Sequence, residues 1–189
     1  MRGDTVTQST AGRVDSIGNK TVTPRASATL PGDSVGSEYS GLSIGELWSS
    51  YKRLRSEAEE HKRAGEFDKS IEKLLAAARC AILLNRPGIA SWQYNNAGKH
   101  AIDKFMALTD YRIHVAKLNE MDNGAQKALF LKEVRGRLKT HEQVLQRAAG
   151  LFEEAKRMNF RAPEQSREEA ITRNEAFVRE AVSLIDNTK

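Results

Sequence analysis

One cysteine, four prolines and a 6% share of aromatic residues leave this 189-residue chain few ready-made devices for building a reactive site. A lone Cys80 forms no intrachain disulfide, and its neighbours Ala78, Ala81 and Ile82 mark it as a small buried hydrophobe in a chain made for a reducing compartment. No run approaches the roughly 18 apolar residues of a membrane span, and no apolar stretch follows the first methionine as in a secretory leader. There is no Gly-rich phosphate loop, nucleophile elbow, cysteine pair or calcium loop. The four histidines, at 61, 100, 114 and 141, have no metal spacing. His141-Glu142 starts like a zinc-protease signature, but Leu145 stands where the second ligand belongs, and His141 is expected as a satisfied core or boundary residue. Glu59-Glu60 and Glu153-Glu154 point to different sides of a helix and make no shared carboxylate site. The expectation is a protein that is not an enzyme and uses neither cofactor nor metal.

What is present is helical. The hydrophobic share of 39% is low and the charged share of 29% slightly high, but the shortfall is local. Residues 1–42 hold twelve Ser or Thr, six Gly and two Pro, show no helical period, and are expected to form a flexible or extended arm. Arg2-Gly3-Asp4 spells an adhesion tripeptide there, too short to carry an assignment. The arm's charges cancel, so the net charge of +5 belongs to residues 43–189, where basic and acidic residues interleave as on solvated helix faces. That region is expected to be an all-α domain of about six helices, as antiparallel hairpins in a repeat or bundle.

Ser43-Ile44-Gly45-Glu46 is a capping box flanked by Leu42 and Leu47 at the spacing of a hydrophobic staple, so helix 1 starts here and runs to Gly65. Its apolar stripe is Leu47, Tyr51, Leu54 and Ala58. Helix 2 spans about 67–84, and Asn85-Arg86-Pro87-Gly88 ends it. Helices 3 and 4 follow at about 89–108 and 110–121, with Asp122-Asn123-Gly124 as a turn. A single long helix 5 is expected over about 125–158, because Leu131, Val134, Leu138, His141, Leu145, Ala148, Phe152 and Ala155 keep three-and-four spacing throughout. Gly136 and Gly150 are the places where it would bend or break. Helix 6 covers about 164–185, with Ser166 to Glu169 as an optional capping box. Residues 43–121 and the long pair 125–187 thus read as two parts of one domain.

Leu54, Ala58, Gly65, Phe67, Ser70, Leu74 and Ala77 combine a large residue, a small one a turn later, a Gly and aromatic at the turn, and small residues where the second helix meets the first. In this register the hairpin resembles a tetratricopeptide repeat, and it is also similar to the microtubule-interacting-and-trafficking domain, whose hairpin has the same kind of turn. Tyr94, Ala97, Gly98 and Ala101 begin a partial second unit, forty residues after the first, and the segment around Tyr111 to Leu118 departs from the pattern. What the resemblance implies is a partner-binding groove lined by the first helix of each pair. It would be lined by Lys52, Arg55, Glu59 and Lys62 from helix 1, and Trp92, Asn95, Asn96 and Lys99 from helix 3. Asn96 matches one slot of the terminal-carboxylate clamp seen in some members, but Arg55 and Glu59 replace the rest.

The leading expectation is therefore a non-catalytic, cytoplasmic protein–protein interaction or scaffold module that binds a peptide or helix in this groove. The alternative is a structural subunit of a viral or phage particle whose arm contacts neighbouring copies or other subunits. A weaker third is an accessory nucleic-acid binder using the basic excess between Lys117 and Arg161. No membrane partner is expected.

Overall fold

The computed structural model describes residues 38–186, and the arm, with its Arg2-Gly3-Asp4 tripeptide, lies outside the described residues up to Ser37. The described chain is all-α. Its helices are α1 (Ile44–Arg63), α2 (Phe67–Leu83), α3 (Pro87–Thr109), α4 (Tyr111–Glu120), α5 (Ala125–Lys139), α6 (Glu142–Arg161) and α7 (Gln165–Asp186).

The start of α1 follows its sequence signals. The Ser43 amide donates to Glu46 Oε2 at 2.8 Å and the Glu46 amide to Ser43 Oγ at 3.3 Å, satisfying two otherwise orphan donors. Leu42 packs with Leu47 in one apolar cluster. The domain begins earlier than residue 43, however. Tyr39, only 6% exposed, is buried in that cluster against Leu47, Tyr51, Leu54, Ala76, Ala77 and Cys80, so an aromatic residue from the presumed arm belongs to the core. Gly65 turns the chain into α2 at φ +74°, a conformation that costs glycine nothing. Asn85 at φ +53° does the same after α2, and Pro87 occupies the first turn of α3, where its missing N–H removes a donor that had no helical partner.

Two layers result. Tyr51 meets Gln93 and Lys62 meets Asp103, which sets α1 parallel to α3. Asn95 meets Asn174, and Gly88 lies against Arg167, which sets α7 parallel to α3 on its other side. The second layer is α2 beside α6, joined by an Arg147–Asp68 ion pair at 3.2 Å, and runs antiparallel to the first. Its fit to α3 is close. A Cβ on Gly98 would stand 2.4 Å from Phe152 Cε1, so the bare backbone of α3 is what lets the fully buried Phe152 ring in. Beside it the Ser91 hydroxyl donates to the Ala155 carbonyl across 64 positions of sequence.

This corrects two expectations. The described residues form seven helices, because the long helix 5 breaks at Thr140–His141 and neither Gly136 nor Gly150 interrupts a helix. The Thr140 hydroxyl bonds back to the Arg137 carbonyl and the His141 amide to Leu138 O, closing α5. Residues before the break serve α4 and α7; Leu145, Ala148, Phe152 and Ala155 after it serve the core shared with α3. The partner of α3 is accordingly α6, with α4 and α5 inserted between them as a hairpin. That hairpin is fastened by Tyr111 against Phe105 and Phe177, and by Arg135 Nε donating to Leu184 O. The optional capping box at Ser166 is not used, since α7 starts at Gln165 and the Ser166 hydroxyl bonds to Glu164.

Candidate functional site

The helices of the α1–α3–α7 layer turn their apolar stripes toward α2 and α6, which leaves a polar stripe on the opposite side. On α1 this stripe is Trp48, Lys52, Arg55, Glu59 and Lys62, successive positions three and four apart. On α3 it is Trp92, Asn96, Lys99 and Asp103. Lys52, Arg55, Glu59 and Lys99 are exposed; Lys62, Trp92 and Asn96 are half-buried. Lys62 and Lys99 both reach Asp103 Oδ2, at 3.3 and 3.6 Å, so one carboxylate is shared by two ammonium groups from different helices. The Arg55 guanidinium lies 5.8 Å from the centre of the Tyr51 ring.

Of the eight residues the sequence pointed to, Asn95 does not join the stripe. It is buried, and its carbonyl accepts from the Asn174 amide at 2.9 Å, because α7 docks over that side of α3. The other seven lie together on one face. Sequence reasoning missed the cleft at the end of this face, where Trp92 is joined by Trp48, Arg86, Gly88, Glu164 and Arg167 around an open volume of about 690 Å³. Trp48 was accessible as the next step of the Lys52 stripe. Arg167 was not, because its place depends on how α7 docks.

Arg167 is a charged side chain only 5% exposed. Its Nη1 donates to Asn159 Oδ1 and to Ala162 O, both at 2.9 Å, and its Nη2 to the Glu164 carboxylate. The Ser166 hydroxyl and this guanidinium together hold the Glu164 carboxyl below its ordinary range. The guanidinium lies flat against the first turn of α3, where a Cβ on Gly88 would come within 2.8 Å of Nη2. A buried charge of this kind is retained only when paired and hydrogen-bonded, and these contacts do both. Arg167 thus builds the floor of the cleft and ties α7 to α3.

Away from this face, the Ser70 hydroxyl contacts the Ala58 carbonyl at 2.7 Å and His100 Nδ1 at 2.8 Å, joining α1, α2 and α3. Since Ser70 spends its one proton on Ala58, Nδ1 is the donor to Ser70. Burial first, then the Lys62 charge, push the His100 pKa down to about 4. His100 is buried and acts as a structural joint.

Among the described residues no group of three or more His, Cys, Asp or Glu side chains is placed to hold a metal ion, and no helix is long and apolar enough to cross a membrane. Comparison with protein-family models, with curated proteins and with solved structures found no match to this chain.

Proposed function

We propose that this protein is a non-catalytic interaction module that holds a peptide or helix of a partner protein along the α1–α3 face. The observation that carries this reading is the pair of polar stripes, side by side on parallel helices and ending in a cleft walled by two tryptophans. Aromatic residues and arginines at the centre of a concave, polar-rimmed surface are the usual anchors of protein recognition. The resemblance of the α1–α2 hairpin to a tetratricopeptide repeat supports it, since the groove of such repeats is lined by the equivalent helices. A cytoplasmic setting goes with a single buried free thiol.

The test uses the full chain as bait against extract of its own source cells, with partners identified by mass. Lys52→Glu with Arg55→Glu should reduce capture at least about tenfold, the loss of roughly 1.4 kcal/mol of binding free energy, with helical circular dichroism unchanged. Undiminished capture rejects the α1–α3 face.

A second reading, a subunit of a larger particle, is favoured by a different observation: Ile113, Leu129 and Phe160 stand 66%, 70% and 87% exposed, away from the groove. In that case sedimentation of the full chain shows a large homo-oligomer, and Phe160→Ser or Leu129→Ser dissolves it.

A further inference from the structure

We infer that the groove selects an acidic peptide segment that seats an apolar side chain between Trp48 and Trp92. This rests on the interaction reading above and adds the chemistry of the partner.

Charge is the first ground. The stripe carries Lys52, Arg55, Lys62 and Lys99 against Glu59 and Asp103, and Asp103 is already shared by two of those lysines. Arg86 adds a further exposed cation at the mouth of the cleft. Neither Lys52 nor Arg86 makes an ion pair with any described residue. Elsewhere several cations converge on carboxylates. Lys73 and Arg53 converge on Glu57, Lys156 sits on Glu175, and Lys104 and Arg147 converge on Asp68. A face with Lys52, Arg55, Lys62, Lys99 and Arg86 against Glu59 and Asp103, and with Lys52 and Arg86 outside any ion pair, carries a net positive charge complementary to carboxylates.

The cleft is the second ground. Arg167 Nη2 is paired with Glu164 in its floor, and the remaining lining that can exchange water for a ligand is mainly indole, proline and Ile89. Such a lining takes an aliphatic or aromatic side chain. The α3 N-terminus opens onto the same cleft without a side-chain cap, and its positive end favours a carboxylate beside that apolar group. Pro87 and Ile89 beside the two indoles suit an aliphatic side chain, which a nucleic acid lacks, and this puts peptide ahead of nucleic acid.

The experiment uses the chain's own chromophores. Both tryptophans of the sequence line this cleft, so intrinsic fluorescence reports the site directly. Three probes are titrated into the full chain: a synthetic peptide of alternating glutamate and leucine ending in phenylalanine, the same peptide with lysine for glutamate, and a single-stranded oligothymidylate. The acidic peptide should give a saturable change in tryptophan emission, weakened several-fold by a rise in salt from about 50 to about 300 mM. Lys52→Glu with Arg86→Glu should weaken it at least about tenfold, and Glu59→Gln should strengthen it. Both sites of charge reversal are exposed, and unchanged circular dichroism separates lost binding from lost fold. Preferential binding of the lysine peptide overturns the charge assignment while leaving the groove as a peptide site. A response to the oligonucleotide alone replaces the peptide with nucleic acid, and no response to any probe overturns the inference, whereas the groove itself stands or falls on the capture experiment.

Discussion

Three buried side chains show how little freedom individual positions have. The Ser70–His100 joint holds a neutral imidazole, because the ring is buried and burial disfavours its charged form. A folded-state pKa depressed to about 4 from the ordinary 6.5 means the unfolded chain binds the proton first as pH falls. The stability this group contributes is therefore complete above about pH 6.5 and lost progressively toward pH 4, up to about 3 kcal/mol. Urea midpoints at pH 7.5 and 4.5 should differ markedly in the native chain and less in His100→Gln. Phe152 sets the second constraint. Gly98→Ala drives a methyl into the ring and should cost about 1–3 kcal/mol, read as a lowered urea midpoint with unchanged slope. The third is Arg167, and Arg167→Met leaves Asn159 Oδ1 without its donor and Glu164 with the Ser166 hydroxyl alone. It should destabilise the chain by about 3 kcal/mol, whereas Gly88→Ala, which crowds the same guanidinium from the α3 side, should cost less.

At the level of helices, the α4–α5 hairpin differs from the rest. It buries only Tyr111, Leu118, Val134 and Leu138 and leaves Ile113 and Leu129 in solvent, while α2 and α3 each bury eight residues or more. Local opening follows buried apolar contact, so its amides should exchange fastest of the helical set. Hydrogen exchange followed by mass spectrometry is expected to label residues 112–138 well before residues 90–105, and equal protection would refute the ranking. The sequence pattern located these helices well, down to the capping box of α1 and the turn at Gly65. It hid the break at Thr140–His141, because Val134, Leu138, Leu145 and Ala148 keep helical spacing straight across it and no glycine or proline marks it. The interruption is a tertiary event. The chain leaves one set of neighbours, α4 and α7, and joins another, α3, and only the packing of those neighbours says where.

On the scale of the molecule, the polar stripes of α1 and α3 were legible because a stripe on one amphipathic helix is a matter of counting. The cleft at their end was not, because it needs α7 laid parallel to α3, a relation between residues about 80 positions apart such as Asn95 and Asn174. The same long-range pairing predicts how the chain tolerates cutting. Asp122, Asn123 and Gly124 form an exposed turn at the tip of the inserted hairpin, whereas the α3–α6 interface around Phe152 spans the two sides of it. Limited proteolysis should nick there first, and the two pieces should still elute together on size exclusion under native conditions. Separation of the pieces would contradict the α3–α6 pairing.

That pairing also has a cost during synthesis. Ser91 leaves the ribosome 64 residues ahead of its partner Ala155, an interval of about 3 to 13 seconds at the usual 5–20 residues per second. Throughout it, the groove of α3 around Gly98 that will receive Phe152 has no cover, while α1 and α2 are already complete. The nascent chain therefore offers chaperones, or a neighbouring copy, a transient apolar surface that the finished protein does not have.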